Sequence, residues 1–340
     1  PAPPPTPIGP KGNHRLKFVT LADGRPDGRL HIVSQDGRRA IAADTARTLQ
    51  QALETWADNA SQWRTQYAAL EAGTLADAID LDPAEALSPL PRAWQWLDGS
   101  AFETHAFLIQ KAWGHPEVGL NERPLMYQGM SDRFLAPTAA ALFPSADDGI
   151  DFEGEYGVIL DAVPMGTKAK DAAQYIRLIV LINDWSLRAI GPTEMATGFG
   201  WLHCKPACAM APFAVTPDEL GDAWRDCRVC LPLQVERNGV AFGRTNGDEM
   251  KFGFDELIAH AAYSRDLPAG TIIGSGTVSN KDYKSVGSSC IAEKRAIETI
   301  AQGAGNTPFM QHGDTVVMRV ETDSGDSLFG EIAQSVQIVT

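Results

Sequence analysis

The sequence predicts an α+β fold, rich in β-structure and built largely from hairpins. Three observations carry that expectation. Asn238-Gly239 stands between β-prone residues in VERNGVAF (235–242), a strong short-range hairpin signal. The runs GTIIGSGTV (270–278), DTVVMRVET (314–322) and SLFGEIAQSVQIV (327–339) alternate or stay apolar like strands. Helical patterns punctuate these runs without alternating with them, so the chain is not a βαβ series. Neither a G-x-G-x-x-G nor a P-loop occurs.

The elements follow in order. Residues 1–14, PAPPPTPIGPKGNH, are Pro-rich and lack an apolar stretch, so they read as a disordered extension and not as a secretory signal. LKFVTL (16–21) and GRLHIVS (28–34) flank turn residues running from Asp23 to Gly28, a hairpin. Ala46, Leu49, Leu53 and Trp56 fall at helical spacing in 45–56, and helix and loop continue over 58–90. The Pro-rich stretch 87–91 is the boundary candidate. It separates a small α+β N-terminal domain (15–90) from a larger domain (91–340). In the latter, IRLIVLIN (176–183) reads as a buried strand, and 168–175, 254–262 and 292–300 as helices. No repeat of fixed period is present.

With 44% hydrophobic and 21% charged residues, the chain has the composition of a soluble globular protein with a sizeable core. Its formal net charge of −14 and the lack of any basic block argue against a nucleic-acid partner. No apolar run approaches the roughly 18 residues of a membrane span. Five cysteines, an odd number, with no secretion signal, argue against a disulfide framework and for the reducing cytoplasm. Cys204, Cys208, Cys227 and Cys230, with His203, invite a zinc reading. Cys230 opens a strand-like run and Cys208 sits among alanines, which favours buried thiols instead.

DFEGEYGVIL (151–160) places Asp151, Glu153 and Glu155 on one side of a strand, where like charges repel unless a cation sits among them. Asp184 follows Glu155 by 29 residues, at the end of the buried 176–183 run. A buried strand that ends in a carboxylate needs a reason, because an unpaired buried charge is costly. Oxygen ligands from two strands would suit Mg²⁺, Mn²⁺ or Ca²⁺, not zinc. The alternative on spacing alone is a solvated strand face and a turn-capping aspartate.

These residues resemble a known family. DFEGEYGVIL followed by LIVLINDWSLR is similar to the paired glutamates and the N-D-x-S-x-R signature of the fumarylacetoacetate hydrolase family. HCKPACAMAPFAVTPDEL (203–220), ERNGVAFGRTNGDEMKFGFDELIAHAA and LPAGTIIGSGTVSN resemble its later motifs in the same order. The resemblance runs from about residue 102 to the C-terminus. It implies a mixed β-roll or β-sandwich catalytic domain, homodimerisation, and a divalent cation, Mg²⁺ or alternatively Ca²⁺ or Mn²⁺, on Glu153, Glu155 and Asp184, with Asp151 outside the set.

AFETHAF (101–107) resembles the family's N-Y-x-x-H stretch, which implies His105 as general base on water. Relatives often carry a glutamate three residues later, where this chain has Leu108. Glu103 would share the face of His105 if the segment is a strand. Lys205 matches a lysine that neutralises substrate carboxylate or enolate charge. Arg188 and Thr277 match substrate-binding positions, with Val278 where relatives have proline, and Tyr127 and Gln128 lie where relatives contact substrate. The implied activity is hydrolysis of a C–C bond in a β-diketone acid, of the fumarylacetoacetate or acylpyruvate type, with a metal-bound enolate as leaving group. Decarboxylation, or isomerisation or hydration of an unsaturated keto-diacid, is the alternative. A non-catalytic keto-acid-binding protein is a third reading. Residues 110–130 and 191–200 are expected to shape the pocket, and the substrate is a small keto acid.

Overall fold

Apolar residues on both faces of single strands set the architecture. In the 176–183 run every residue is buried. Ile179 and Leu181 join one core, while Leu178, Val180 and Ile182 join a second. A strand of this kind needs a covering layer on each side. The computed structural model describes residues 15–112, 123–322, 325 and 327–339. The extension at 1–14 and residues 113–122 of the expected pocket loop lie outside the described residues.

The first part of the chain forms β1 (Lys17–Leu21), β2 (Arg29–Val33), β3 (Arg39–Ala42), α1 (Leu49–Glu54), α2 (Trp56–Glu71) and β4 (Ile79–Asp80). The middle forms β5 (Trp96–Ser100), α3 (Glu103–Ala112), β6 (Leu125–Gly129), β7 (Ala141–Phe143), β8 (Ile150–Asp151), β9 (Gly154–Leu160), α4 (Ala169–Ala172), β10 (Ile176–Asn183), β11 (Ser186–Leu187) and α5 (Gly191–Thr197). The last part forms β12 (Ala209–Met210), β13 (Ala214–Val215), β14 (Trp224–Arg225), β15 (Arg228–Val229), β16 (Pro232–Arg237), β17 (Val240–Asn246), α6 (Phe254–Ala261), β18 (Ile272–Gly274), α7 (Tyr283–Val286), α8 (Ile291–Gln302), β19 (Thr315–Glu321) and β20 (Ser327–Ile338).

A large mixed sheet runs β4-β3-β2-β1-β13-β10-β9-β18-β5-β6, with β12 also on β10, and a second sheet runs β17-β16-β19-β20-β7. One core holds Trp56 and Trp63 of α2 with Phe18, Leu178 and Val180 of the large sheet. The three aromatic rings meet edge to face, with centroids 5.5–6.0 Å apart. The other core joins Tyr156, Val158 and Leu181 to Met318, Phe329 and Ile332 of the second sheet. The molecule is therefore layered helix, sheet, sheet, an α+β fold as the sequence predicts. β1 pairs with β13, so the N-terminal strands extend the large sheet and form no separate one.

The hairpin at Asn238-Gly239 is present, with φ of 52° and 72° at the two turn residues, the positive pair a type I′ turn requires. The 45–56 helix divides at Thr55, whose φ of −124° is not helical. The 270–278 run is strand only at β18. Gly276 then takes φ +77°, where an added Cβ would lie 2.4 Å from the Gly99 carbonyl oxygen. The chain turns there, and the turn delivers Thr277 to the site.

Candidate active site

Strand register assembles the carboxylates. β9 and β10 are antiparallel, with Gly154 opposite Asn183 and Glu155 opposite Ile182. The start of β9 thus lies against the end of β10, and the Asp184 N–H donates to the Glu153 carbonyl at 2.9 Å. Across β18, Asp98 of β5 stands level with Gly274 and Gly157. A Cβ on Gly274 would lie 2.3 Å from Asp98 Oδ1, so glycine there leaves the carboxyl its room. One ligating atom each of Asp98, Glu155 and Asp184 lies within 4.8 Å of the others, and all three residues are buried.

The donor set fits a hard divalent cation. Both oxygens of Glu155 are buried, and apart from the neighbouring Asp98 carboxyl they meet no donor among the described residues. Burial first, and then the charges of Asp98 and Asp184, push the Glu155 carboxyl well above the usual range. Burial and the Asp184 charge push Asp98 up to about 8. Asp98 and Glu155, buried against each other, ionise together only with a cation between them, and an all-oxygen set suits Mg²⁺, Mn²⁺ or Ca²⁺.

Glu153 stands beside this group in a different setting. Its Oε1 accepts from Arg188 Nη2 at 2.6 Å and from the Thr277 hydroxyl at 2.8 Å. Its Oε2 accepts from Lys205 Nζ at 2.5 Å and from the Ser186 hydroxyl at 2.8 Å. Burial opposes its ionisation, but Arg188 and Lys205 more than offset that and hold the carboxyl well below the usual range. Lys205 Nζ also donates to Asp184 Oδ2 at 2.6 Å and so bridges the two carboxylates. Its ammonium lies 5.1 Å from the Tyr127 ring centroid and 5.6 Å from that of Trp201. The Tyr127 hydroxyl donates to Asp184 Oδ2 at 2.6 Å. Cys208 Sγ donates to Asp184 Oδ1 at 2.9 Å.

His105 lies on α3, not on a strand. Glu103, two residues earlier, is therefore on a different helix face and pairs with Lys251. The carboxylate that meets His105 is Glu293 of α8: its Oε2 lies 2.9 Å from Nδ1, and the Glu293 side chain is wholly buried. Leu108, where relatives place an orienting glutamate, is buried in apolar packing.

The structure thus brings together Glu153, Glu155, Asp184, Lys205, Arg188, Thr277 and Tyr127, with His105 beside Glu153. Gln128 is set apart. Tyr127 opposes Asp98 across β5 and β6 while Gln128 opposes Leu97, so the two side chains alternate across the sheet; Gln128 lines a cleft with Arg123, His260 and Arg265, which Tyr127 also borders. Asp151 is a buried neighbour. It accepts from Arg188 Nε at 2.9 Å and from the Ile291 and Ala292 N–H groups at 2.7 and 2.9 Å. The four cysteines of the zinc reading form no group among the described residues.

Sequence reasoning missed Asp98 and Glu293. Asp98 carried a weaker form of the signal at Asp184: a carboxylate directly after the apolar pair Trp96-Leu97, though within β5 and not at its end. Glu293 lies on the buried side of α8 with Ile291 and Ala296, a charge within an apolar stripe.

Residues 95–337 match the model of the fumarylacetoacetate (FAA) hydrolase C-terminal family, and residues 16–92 match fumarylacetoacetase N-terminal domain 2. A 2,4-didehydro-3-deoxy-L-rhamnonate hydrolase of Sphingomonas sp. (strain SKA58) is 26% identical over 53% of this chain and 59% of its own. The chain spans about half the length of the curated relatives it matches. The 5-carboxymethyl-2-hydroxymuconate delta-isomerase of Mycobacterium smegmatis superposes with a TM-score of 0.59 at 18% identity, over 96% of this chain and 99% of that one. Maleylpyruvate hydrolase of Sphingobium sp. SYK-6, in complex with manganese (II) ion and pyruvate, superposes with 0.63 at 16% identity, over 95% and 100%. At these identities the superpositions show the fold.

Proposed function

The chain belongs to the fumarylacetoacetate hydrolase family, and on that premise we propose that it is a divalent-cation-dependent hydrolase of a carbon–carbon bond in a β-diketone acid of the acylpyruvate or fumarylacetoacetate type. The observation that carries this reading is the His105–Glu293 pair beside Glu153. A carboxylate accepting from Nδ1–H fixes the tautomer whose Nε2 is free to take a proton. Hydrolysis requires such a base for water and decarboxylation does not, whereas isomerisation would use the same pair as a proton shuttle.

Asp98, Glu155 and Asp184, with Glu153 as a fourth carboxylate, would hold the cation. When bound, such an ion supplies Lewis acidity toward the keto and enol oxygens of the substrate. His105 Nε2 takes a proton from water as the water oxygen bonds to the distal carbonyl carbon. The C–C bond then breaks, its electron pair leaves with the other carbon as the enolate, and His105 returns the proton to that enolate carbon. Lys205, with its ammonium at the carboxylates, offsets the charge that develops on the enolate oxygen. Arg188 and Thr277 fix Glu153, and Tyr127 fixes Asp184. The products are a carboxylic acid and a keto acid.

Acetylpyruvate, fumarylpyruvate, fumarylacetoacetate and oxaloacetate, each assayed with Mg²⁺ or Mn²⁺, test this. At least one diketone acid is expected to be cleaved, and His105→Ala is expected to lower kcat about 10²–10⁴-fold. Turnover of oxaloacetate alone would replace this reading, with decarboxylation if it is unchanged in His105→Ala and with isomerisation if it is lost there.

A further inference from the structure

A second group of ligating atoms adjoins the cage; it meets the cage at Glu153 and shares none of Asp98, Glu155 and Asp184. His105, Glu153 and Cys290 each bring one such atom within 4.8 Å of the others. Cys290 is fully buried at the N-cap of α8, where its Sγ accepts from the Glu293 N–H at 3.3 Å. A β-bridge between Glu153 and Cys290 holds the two residues together. Glu293 supplies an independent observation. Its Oε2 meets His105, but its Oε1 is buried with no donor among the described residues. The His105 side chain is 16% exposed, which leaves a way in from solvent.

The chemistry of this group differs from that of the cage. Oxygen donors alone suit hard cations, whereas an imidazole with a thiolate selects softer ones, zinc above all. We propose that His105, Cys290 and Glu153 form a second cation site that takes a thiophilic divalent ion, with Zn²⁺ as its type. The sulfur–metal bond forms as the Cys290 thiol gives its proton to solvent, so the site gains one net positive charge. Glu153 already accepts from four donors. The ion replaces a neutral one, the Thr277 or Ser186 hydroxyl, and leaves Arg188 and Lys205 in place. The unpaired Glu293 Oε1 is a further oxygen donor beside His105. Under the hydrolase reading, an ion here occupies the general base and inhibits. Binding itself does not depend on that reading.

Cobalt(II) titration of the Mg²⁺-saturated protein, under argon, tests the site directly. Excess Mg²⁺ fills the oxygen cage, and a cobalt–thiolate bond announces itself by charge-transfer absorption. That absorption is expected to saturate at one Co²⁺ per chain in the unaltered protein and in Cys208→Ser. It is expected to be absent in Cys290→Ser, in which the serine hydroxyl still caps α8. In His105→Ala the affinity is expected to fall at least ~10-fold. No absorption in the unaltered protein, absorption that survives Cys290→Ser, or absorption lost in Cys208→Ser overturns the proposal. Zn²⁺ inhibition of turnover is expected to weaken at least ~10-fold in Cys290→Ser. Charge-transfer binding without inhibition would leave the cation site standing and sink the role of His105 as base.

Discussion

At the scale of single residues, the site rests on charges that cannot be read singly. Glu293 is the test case. It is wholly buried, touches His105 Nδ1, and reaches no donor among the described residues with its second oxygen. Its function in the proposed chemistry is to hold one tautomer and to stabilise the imidazolium that forms. Glu293→Gln keeps the size and removes the charge. It is expected to lower kcat on the order of 10²–10⁴-fold with little change in KM, measured by steady-state kinetics on the cleaved diketone acid. A proportional rise in KM with kcat intact would assign Glu293 to substrate binding instead. Half of this pair was legible. His105 stood out because imidazole is the natural base near neutrality. Glu293 is 188 residues away, and its partner is set by how α3 and α8 pack, which spacing along the chain does not encode. Asp98 was less legible, since it follows only the apolar pair Trp96-Leu97 and lies within β5, with Gly99 and Ser100 after it.

At the scale of elements, the start of α8 connects the two halves of the site. Asp151 accepts from the Ile291 and Ala292 N–H groups and from Arg188, while Arg188 also holds Glu153. One carboxylate thus caps the helix that carries Glu293 and anchors the cation that fixes Glu153. Asp151→Ala removes the acceptor of the first two N–H groups of α8 and leaves partly buried Arg188 with one acidic partner in place of two. The expected destabilisation is about 2–4 kcal/mol, read by urea unfolding, together with reduced kcat although Asp151 meets no substrate. Unchanged stability with lost activity would place Asp151 in the chemistry. The element pattern also shows where periodicity was a sound guide. Strands buried on both faces, such as β10, and the I′ hairpin at Asn238-Gly239 follow from local rules. The 270–278 run did not stay a strand, because Gly276 takes a positive φ that apolar patterning cannot signal.

At the scale of the whole molecule, the cage is a concentration of negative charge inside a chain already at −14. Sheet order creates it. β5 reaches β9 only through β18, an order that brings residues 98, 155 and 184 together, and no run of sequence announces that pairing. The consequence is a stability that depends on pH and on divalent cation in a defined sense. In the folded protein Asp98 is pushed up to about 8 and Glu155 well above its ordinary value, by burial first and then by neighbouring acids. In the unfolded chain both ionise near their usual values, about 4. Between these limits the folded state binds more protons, so without divalent ions stability is fully present below about pH 4 and is lost as pH rises through about 8. Each proton so involved costs ~1.4 kcal/mol per pH unit. Glu153, held low, changes charge below this interval. His31 and His260, lowered by burial, act in the opposite sense below the ordinary histidine value, but they do so with or without the ion. A divalent cation prefers the ionised carboxylates, so its stabilising effect grows over the same range. Melting temperatures from pH 5 to 8.5 are therefore expected to fall more steeply in EDTA than in Mn²⁺, with the two curves diverging as pH rises. Parallel curves would mean that Asp98 and Glu155 do not hold the ion.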